Sequence, residues 1–223
     1  GLDQTETISA QLQDVVDPGA KTVRVLNCGV PGYGLKEMPA LLQQAYGAYR
    51  MREAVYILNL NDFTLRDTVY EGADNGLYKM YSPPMVKSPW FVRKALYRLA
   101  KGGELDTSIS WYRWIYAGTK SRNLGHFADM VEFAKSQKID LAVVVMPSVH
   151  AYGAGPGGEP YALADIIDEL RAWAGSQKIR FYDPRAEFAG EASSLIDKTD
   201  HFAGVEGCRR LAKYIAEQVL AKP

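Results

Sequence analysis

The feature that most constrains this chain is the recurrence of short apolar runs separated by helical patterns. Val23–Leu26 (VRVL), Ala54–Leu60 (AVYILNL), Asp140–Met146 (DLAVVVM) and Lys178–Tyr182 read as buried strands. Around them, Thr5–Val16, Leu35–Arg52, Leu124–Gln137, Tyr161–Ser176 and Gly204–Leu220 carry apolar residues at three- and four-residue spacing, the mark of an amphipathic helix. Strands that alternate with helices pair in parallel, because each helix returns the chain to the end from which it started. The pattern predicts a single α/β domain over residues 1–223, built as a three-layer α/β/α sandwich around a parallel sheet of four to five strands. The fifth strand belongs to a segment expected before Gly1, since the chain opens GLDQTETISAQLQ with no Met and no signal peptide.

Residues 64–120 break the alternation. Helical patterns recur at Trp90–Lys101 and Ile109–Ala117, and Trp90, Trp111 and Trp114 fall here together with many tyrosines. An insertion of this length after the carboxyl end of a strand overhangs the edge where open α/β sheets bind ligands. Its aromatic residues suit stacking on sugar rings or lining an acyl pocket, and equally suit packing the insertion onto the domain.

Charge and composition exclude several classes of function. Lys plus Arg and Asp plus Glu number 26 each, so nothing favours nucleic acid or an anionic membrane as partner. No apolar run approaches the ~20 residues of a membrane span. His126, His150 and His201 share no ligand spacing and no cysteine cluster joins them, so no metal is expected. The glycines at 153, 155, 157 and 158 match neither the P-loop nor the dinucleotide fingerprint, and no cofactor is expected. Cys28 and Cys208 allow one disulfide and fix no compartment.

Three features fall at one edge of the predicted sheet. After Val23–Leu26 comes a turn, opened by Asn27 and carrying Gly29, Pro31, Gly32 and Gly34, whose backbone N–H groups can hold a developing negative charge. Asn61 ends the second strand, and the DHF stretch Asp200–Phe202 precedes the last helix. A backbone N–H and an Asn carboxamide aimed at one point make an oxyanion hole. A nearby His whose tautomer is fixed by a carboxylate supplies a general base. His150, after the third strand, reads as a rim contact with substrate, and His126 as a structural residue on a helix. Asp62 reads as a structural hydrogen-bonder. Asn59 shares a strand face with Asn61 and reads as a satisfied buried polar group.

This set resembles the SGNH (GDSL-like) hydrolase superfamily, whose fold is flavodoxin-like. The second block of that family is matched by Asn27-Cys28-Gly29-Val30-Pro31-Gly32, and the third, a strand followed by Asn-Asp, by Leu60-Asn61-Asp62. Its last block is matched by His201-Phe202 with Gly207 and the terminal helix. The resemblance implies that Gly32 and Asn61 form the oxyanion hole and that His201 is the base. It departs from the family in two places. Lys198 stands where the family's acid belongs, so Asp197 or Asp200 must serve. The family's serine block has no match here and is expected upstream of Gly1. What the resemblance implies is a serine esterase or acyl-transferring enzyme acting on a small-molecule or glycan acyl ester. Trp111, Trp114 and His150 are then substrate contacts, no cofactor is needed, and family habit places the protein outside the cytoplasm. The alternative is a catalytically inactive carbohydrate-binding or assembly protein on the same scaffold.

Overall fold

The computed structural model describes residues 3–63, 108–153, 159–189 and 204–221. Helix α1 spans Ile8–Val16, α2 Met38–Tyr49, α3 Ser108–Ser136, α4 Ala164–Ser176, α5 Arg185–Phe188 and α6 Val205–Tyr214, which continues as a π-helical turn, Ile215–Leu220. Strands β1 (Glu53–Leu58), β2 (Asp140–Val145) and β3 (Arg180–Tyr182) form an open parallel sheet in that order, with Leu58 registered against Val145 and Val144 against Tyr182.

The central strand β2 explains the arrangement. Ala142, Val143, Val144 and Val145 are all completely buried. Successive side chains on a strand point to opposite faces, so both faces of β2 must be covered. Leu141, Val143 and Val145 join a cluster with Phe127, Met130 and Val131 of α3 and Ile167 and Leu170 of α4. Ala142 and Val144 join a second cluster with Leu12 of α1, Phe188 of α5, and Leu211 and Ile215 at the chain's end. The same alternation runs through β1, with Tyr56 packed against the first cluster and Val55 and Ile57 against the second.

Two expectations need correction. Val23–Leu26 is not a buried strand: it pairs with no strand among the described residues, and Val23 and Leu26 are 48% and 36% exposed. The sheet therefore has three described strands where four to five were expected. Side chains do for this segment what a neighbouring strand would. Gln13 Nε2 donates to Val23 O (3.0 Å), and Val25 N–H donates to Gln13 Oε1 (2.7 Å). Asp17 Oδ2 accepts from Val23 N–H (2.7 Å) and from both Thr22 N–H and its hydroxyl, bonds that hold the carboxyl down at about 2. Secondly, Ile109–Ala117 and Leu124–Gln137 are not separate helices: all but Gln137 lie within the 29-residue α3. The expected helix Trp90–Lys101 lies outside the described residues. Cys28 and Cys208 are not joined in the disulfide the sequence allowed.

The covered faces of β2 generate a prediction. Val143→Thr and Val144→Thr, which keep shape but bury a hydroxyl, should each lower the free energy of unfolding by about 1–3 kcal/mol. Urea denaturation checks this, and tolerance at one position alone would mean that its face of the sheet is wet.

Candidate active site

The carboxyl edge of the sheet is built from two turns that hold each other. In the first, Tyr33 N–H donates to Val30 O (3.1 Å), with Pro31 and Gly32 between them. Gly32 has φ +80°, which fits the third position of a type II turn, where a Cβ is strained. Gly32 is exposed, and its N–H has no hydrogen-bond partner among the described residues. Just before it, Asn27 Oδ1 accepts from Gly29 N–H (3.0 Å), a local bond characteristic of Asn-initiated turns.

The second turn follows β1. Leu60–Phe63 makes one 3₁₀ turn, with Leu60 and Phe63 buried. Asp62 N–H donates to Asn59 O (3.0 Å), and Asp62 Oδ2 accepts in return from Asn59 N–H (3.0 Å), the reciprocal pattern by which an acid closes the start of a helical turn. The same carboxylate oxygen accepts from the Tyr56 hydroxyl at 2.7 Å. Asp62 is thus the structural hydrogen-bonder expected of it. Burial pushes its carboxyl up from 3.8 to about 6, against the opposing pull of its two hydrogen bonds. Burial and the neighbouring Asp62 in turn raise the Tyr56 hydroxyl well above its ordinary range.

One hydrogen bond joins the turns. Leu35 N–H donates to Asp62 O at 2.9 Å, and Leu35 is completely buried. Glu37 seals the loop by accepting from Gly34 N–H (2.9 Å). Gly32 and Asn61, each predicted as an oxyanion donor, thus stand on turns in direct contact. Asn61 Oδ1 is buried and has no partner. Asn59 corrects its expectation: it is not fully satisfied, since its Oδ1 also lacks a partner.

The β2 side of the edge adds a residue that the sequence reading missed. Ser148 lies three residues beyond Val145, as Asn61 lies three beyond its registered partner Leu58. It is 4% exposed, and its hydroxyl has no partner. Ser148 N–H donates to the Tyr161 hydroxyl at 2.9 Å. Burial pushes that hydroxyl up to about 12, so Tyr161 stays a neutral phenol. The Arg185 guanidinium covers the Tyr161 ring at 5.0 Å and is ion-paired to Asp183 at 2.7 Å, just past β3. The signal for Ser148 was its place, three residues past a strand that is apolar from Leu141 to its end.

The remaining predicted residues are distributed as follows. His150 is exposed on the short turn Val149–Ala151, two residues beyond Ser148. Trp114 packs, partly buried, against the α3 side of the core. Trp111 falls on α3, with its side chain outside the described residues. His201, Asp197 and Asp200 lie outside the described residues, as do Gly155, Gly157 and Gly158. His126 Nδ1 lies on the helix surface 4.0 Å from Asp129 Oδ2. No cluster of metal-binding side chains occurs among the described residues, and no described helix is long and apolar enough to cross a membrane. Chemically, the two joined turns bring the Gly32 N–H, a donor, and the Asn61 carboxamide to one strand end, where only donor groups could stabilise an oxyanion; the unpartnered Oδ1 atoms of Asn59 and Asn61 are acceptors.

Asp62 gives a pH prediction. The unfolded carboxyl loses its proton near 3.8 and the folded one near 6, so the folded state holds more protons between these values and its stability falls as pH rises through them. The loss amounts to about 3 kcal/mol once complete. Asp62→Asn keeps an oxygen to accept from Tyr56 and Asn59 but cannot ionise. It should match the wild type below about pH 4 and exceed its stability above about pH 6, measured by urea unfolding across that range.

No family model, curated protein or solved structure matches this chain, so the chemistry of the site rests on its own residues.

Proposed function

We propose that the chain is the scaffold of an SGNH-type serine esterase or acyl-transferring enzyme, acting on acyl esters and by preference on those of a glycan. The observation that carries this reading is the Leu35–Asp62 hydrogen bond, which puts the Gly32 turn against the Asn61 turn at the carboxyl end of a parallel strand. An N–H donor and a carboxamide donor brought to one strand end are what acyl transfer requires of an oxyanion hole.

In this mechanism a serine Oγ attacks the acyl carbon while His201 takes its proton. Asn61 and the Gly32 N–H stabilise the tetrahedral oxyanion. Asp197 or Asp200 fixes the imidazole and stabilises its charged form. The intermediate collapses as His201 returns the proton to the leaving alcohol. Water, or an acceptor hydroxyl, then attacks the acyl-serine with His201 again as base, releasing the acid or the transferred ester and restoring the serine. No residue described here is assigned as that serine. Under this reading it arrives on a further strand, and β1 supports the idea by pairing on one edge only among the described residues. That strand would bring the sheet to four. Val23–Leu26, with its Val23 and Val25 side already bonded to Gln13, would then add along its other side as a fifth. The two apolar clusters on opposite faces of β2 support the three-layer form of such a sheet.

Hydrolysis of p-nitrophenyl acetate by the full-length protein tests the reading. His201→Ala should lower kcat about 10²–10⁴-fold, and Asn61→Ala about 10²–10³-fold. Unaltered turnover in the His201 variant removes that residue from the mechanism. A full-length protein that binds glycans and turns over no ester would instead be the inactive carbohydrate-binding form.

A further inference from the structure

Helix α3 carries a polar interruption at the point where it passes the end of β1. Its inward residues are apolar on either side, Tyr112, Ile115 and Tyr116 before and Phe127, Met130 and Val131 after, yet the position between them is Asn123, completely buried. Asn123 Nδ2 donates to Phe63 O at 2.6 Å and to Thr119 Oγ1 at 3.0 Å. The Thr119 hydroxyl lies 2.7 Å from Phe63 O and 2.8 Å from Ile115 O, so the two carbonyls share its single proton. Both protons of the Asn123 amide are therefore engaged, which fixes its orientation. Its Oδ1 is left buried without a partner.

A leucine in that stripe would avoid the cost of an unpaired buried oxygen. What the asparagine supplies in exchange is its grip on Phe63 O, across 60 residues of sequence. Phe63 is the last residue of the turn Leu60–Phe63, two positions after Asn61. The start of the turn is held by Tyr56 through the Asp62 carboxylate, and Asp62 O by Leu35. The grip from α3 fixes the remaining end, and with it the rotation of the turn about β1.

We infer that Asn123, together with Thr119, is a positioning residue that aims the Asn61 carboxamide by holding the Phe63 carbonyl. For its effect on catalysis the inference rests on the esterase reading, but its geometric content stands apart from it. In the full-length protein, Asn123→Leu should lower kcat for p-nitrophenyl acetate by about ten- to a hundredfold with KM nearly unchanged. In an Asn61→Ala background the same substitution should change kcat no further, because the group it aims is gone. Equal losses in the two backgrounds would overturn the inference, since a purely structural role lowers both alike. Thr119→Val runs through the same cycle where Asn123→Leu fails to fold. Should the full-length protein hydrolyse no ester, the esterase reading alone fails, and the side-chain amide resonances of Asn61 decide. Their displacement in either folded variant supports the positioning role, and unchanged resonances overturn it.

Discussion

The structure depends on a constraint imposed by β2. Four successive residues, Ala142 to Val145, have no solvent contact. A strand so enclosed needs backbone partners on both edges and apolar cover on both faces, because each unpaired N–H or C=O would be buried at a cost of about 1–3 kcal/mol. The strands β1 and β3 meet the first requirement, and the two clusters, one under α3 and α4 and the other under α1 and α6, meet the second. The parallel direction follows from the helices that intervene between strands, and it gathers all three strand ends at one edge. The turns carrying Asn61 and Ser148 lie at that edge because β1 and β2 end in register.

Holding those turns is largely the work of residues distant in sequence. The Asn61 turn is tied to the Gly32 turn through Leu35, to its own strand through Tyr56, and to α3 through Thr119 and Asn123. The Ser148 turn is tied to Tyr161, whose ring lies under Arg185, itself anchored by Asp183 beyond β3. Each short turn is therefore braced against a helix or another strand end. Such bracing is how polar groups on irregular backbone hold a fixed aim.

The sequence carried this plan unevenly. The run DLAVVVM announced β2 because continuous apolarity over so few residues has little other use, whereas Asn61, expected to end the second strand, lies three residues beyond it in the 3₁₀ turn Leu60–Phe63. Val23–Leu26 was misread for a physical reason. Its composition is that of a strand, but being a strand requires a neighbour, and composition does not reveal neighbours. Here the bonding is provided by Gln13 and Asp17, residues of a helix and its end. Helix α3 was divided in two because Thr119 and Asn123 occupy inward positions, so the apolar period lapses from Gly118 to Asn123 although the backbone continues. The polar gap that hid the helix is the same feature that supports the Asn61 turn. Asn59 was taken for satisfied because burial of a carboxamide ordinarily demands it, and its orphaned oxygen breaks that rule.

The Gln13 carboxamide has a consequence for how this surface meets other molecules. By binding Val23 O and Val25 N–H, with Asp17 on Val23 N–H, it acts as a lateral stopper on a stretch that also bears exposed valine and leucine side chains. Exposed backbone of that kind is a template for zipping one polypeptide onto the next. With one rim closed, two copies could pair through the open rim, but the pair would present no further edge on this segment for a third copy to extend.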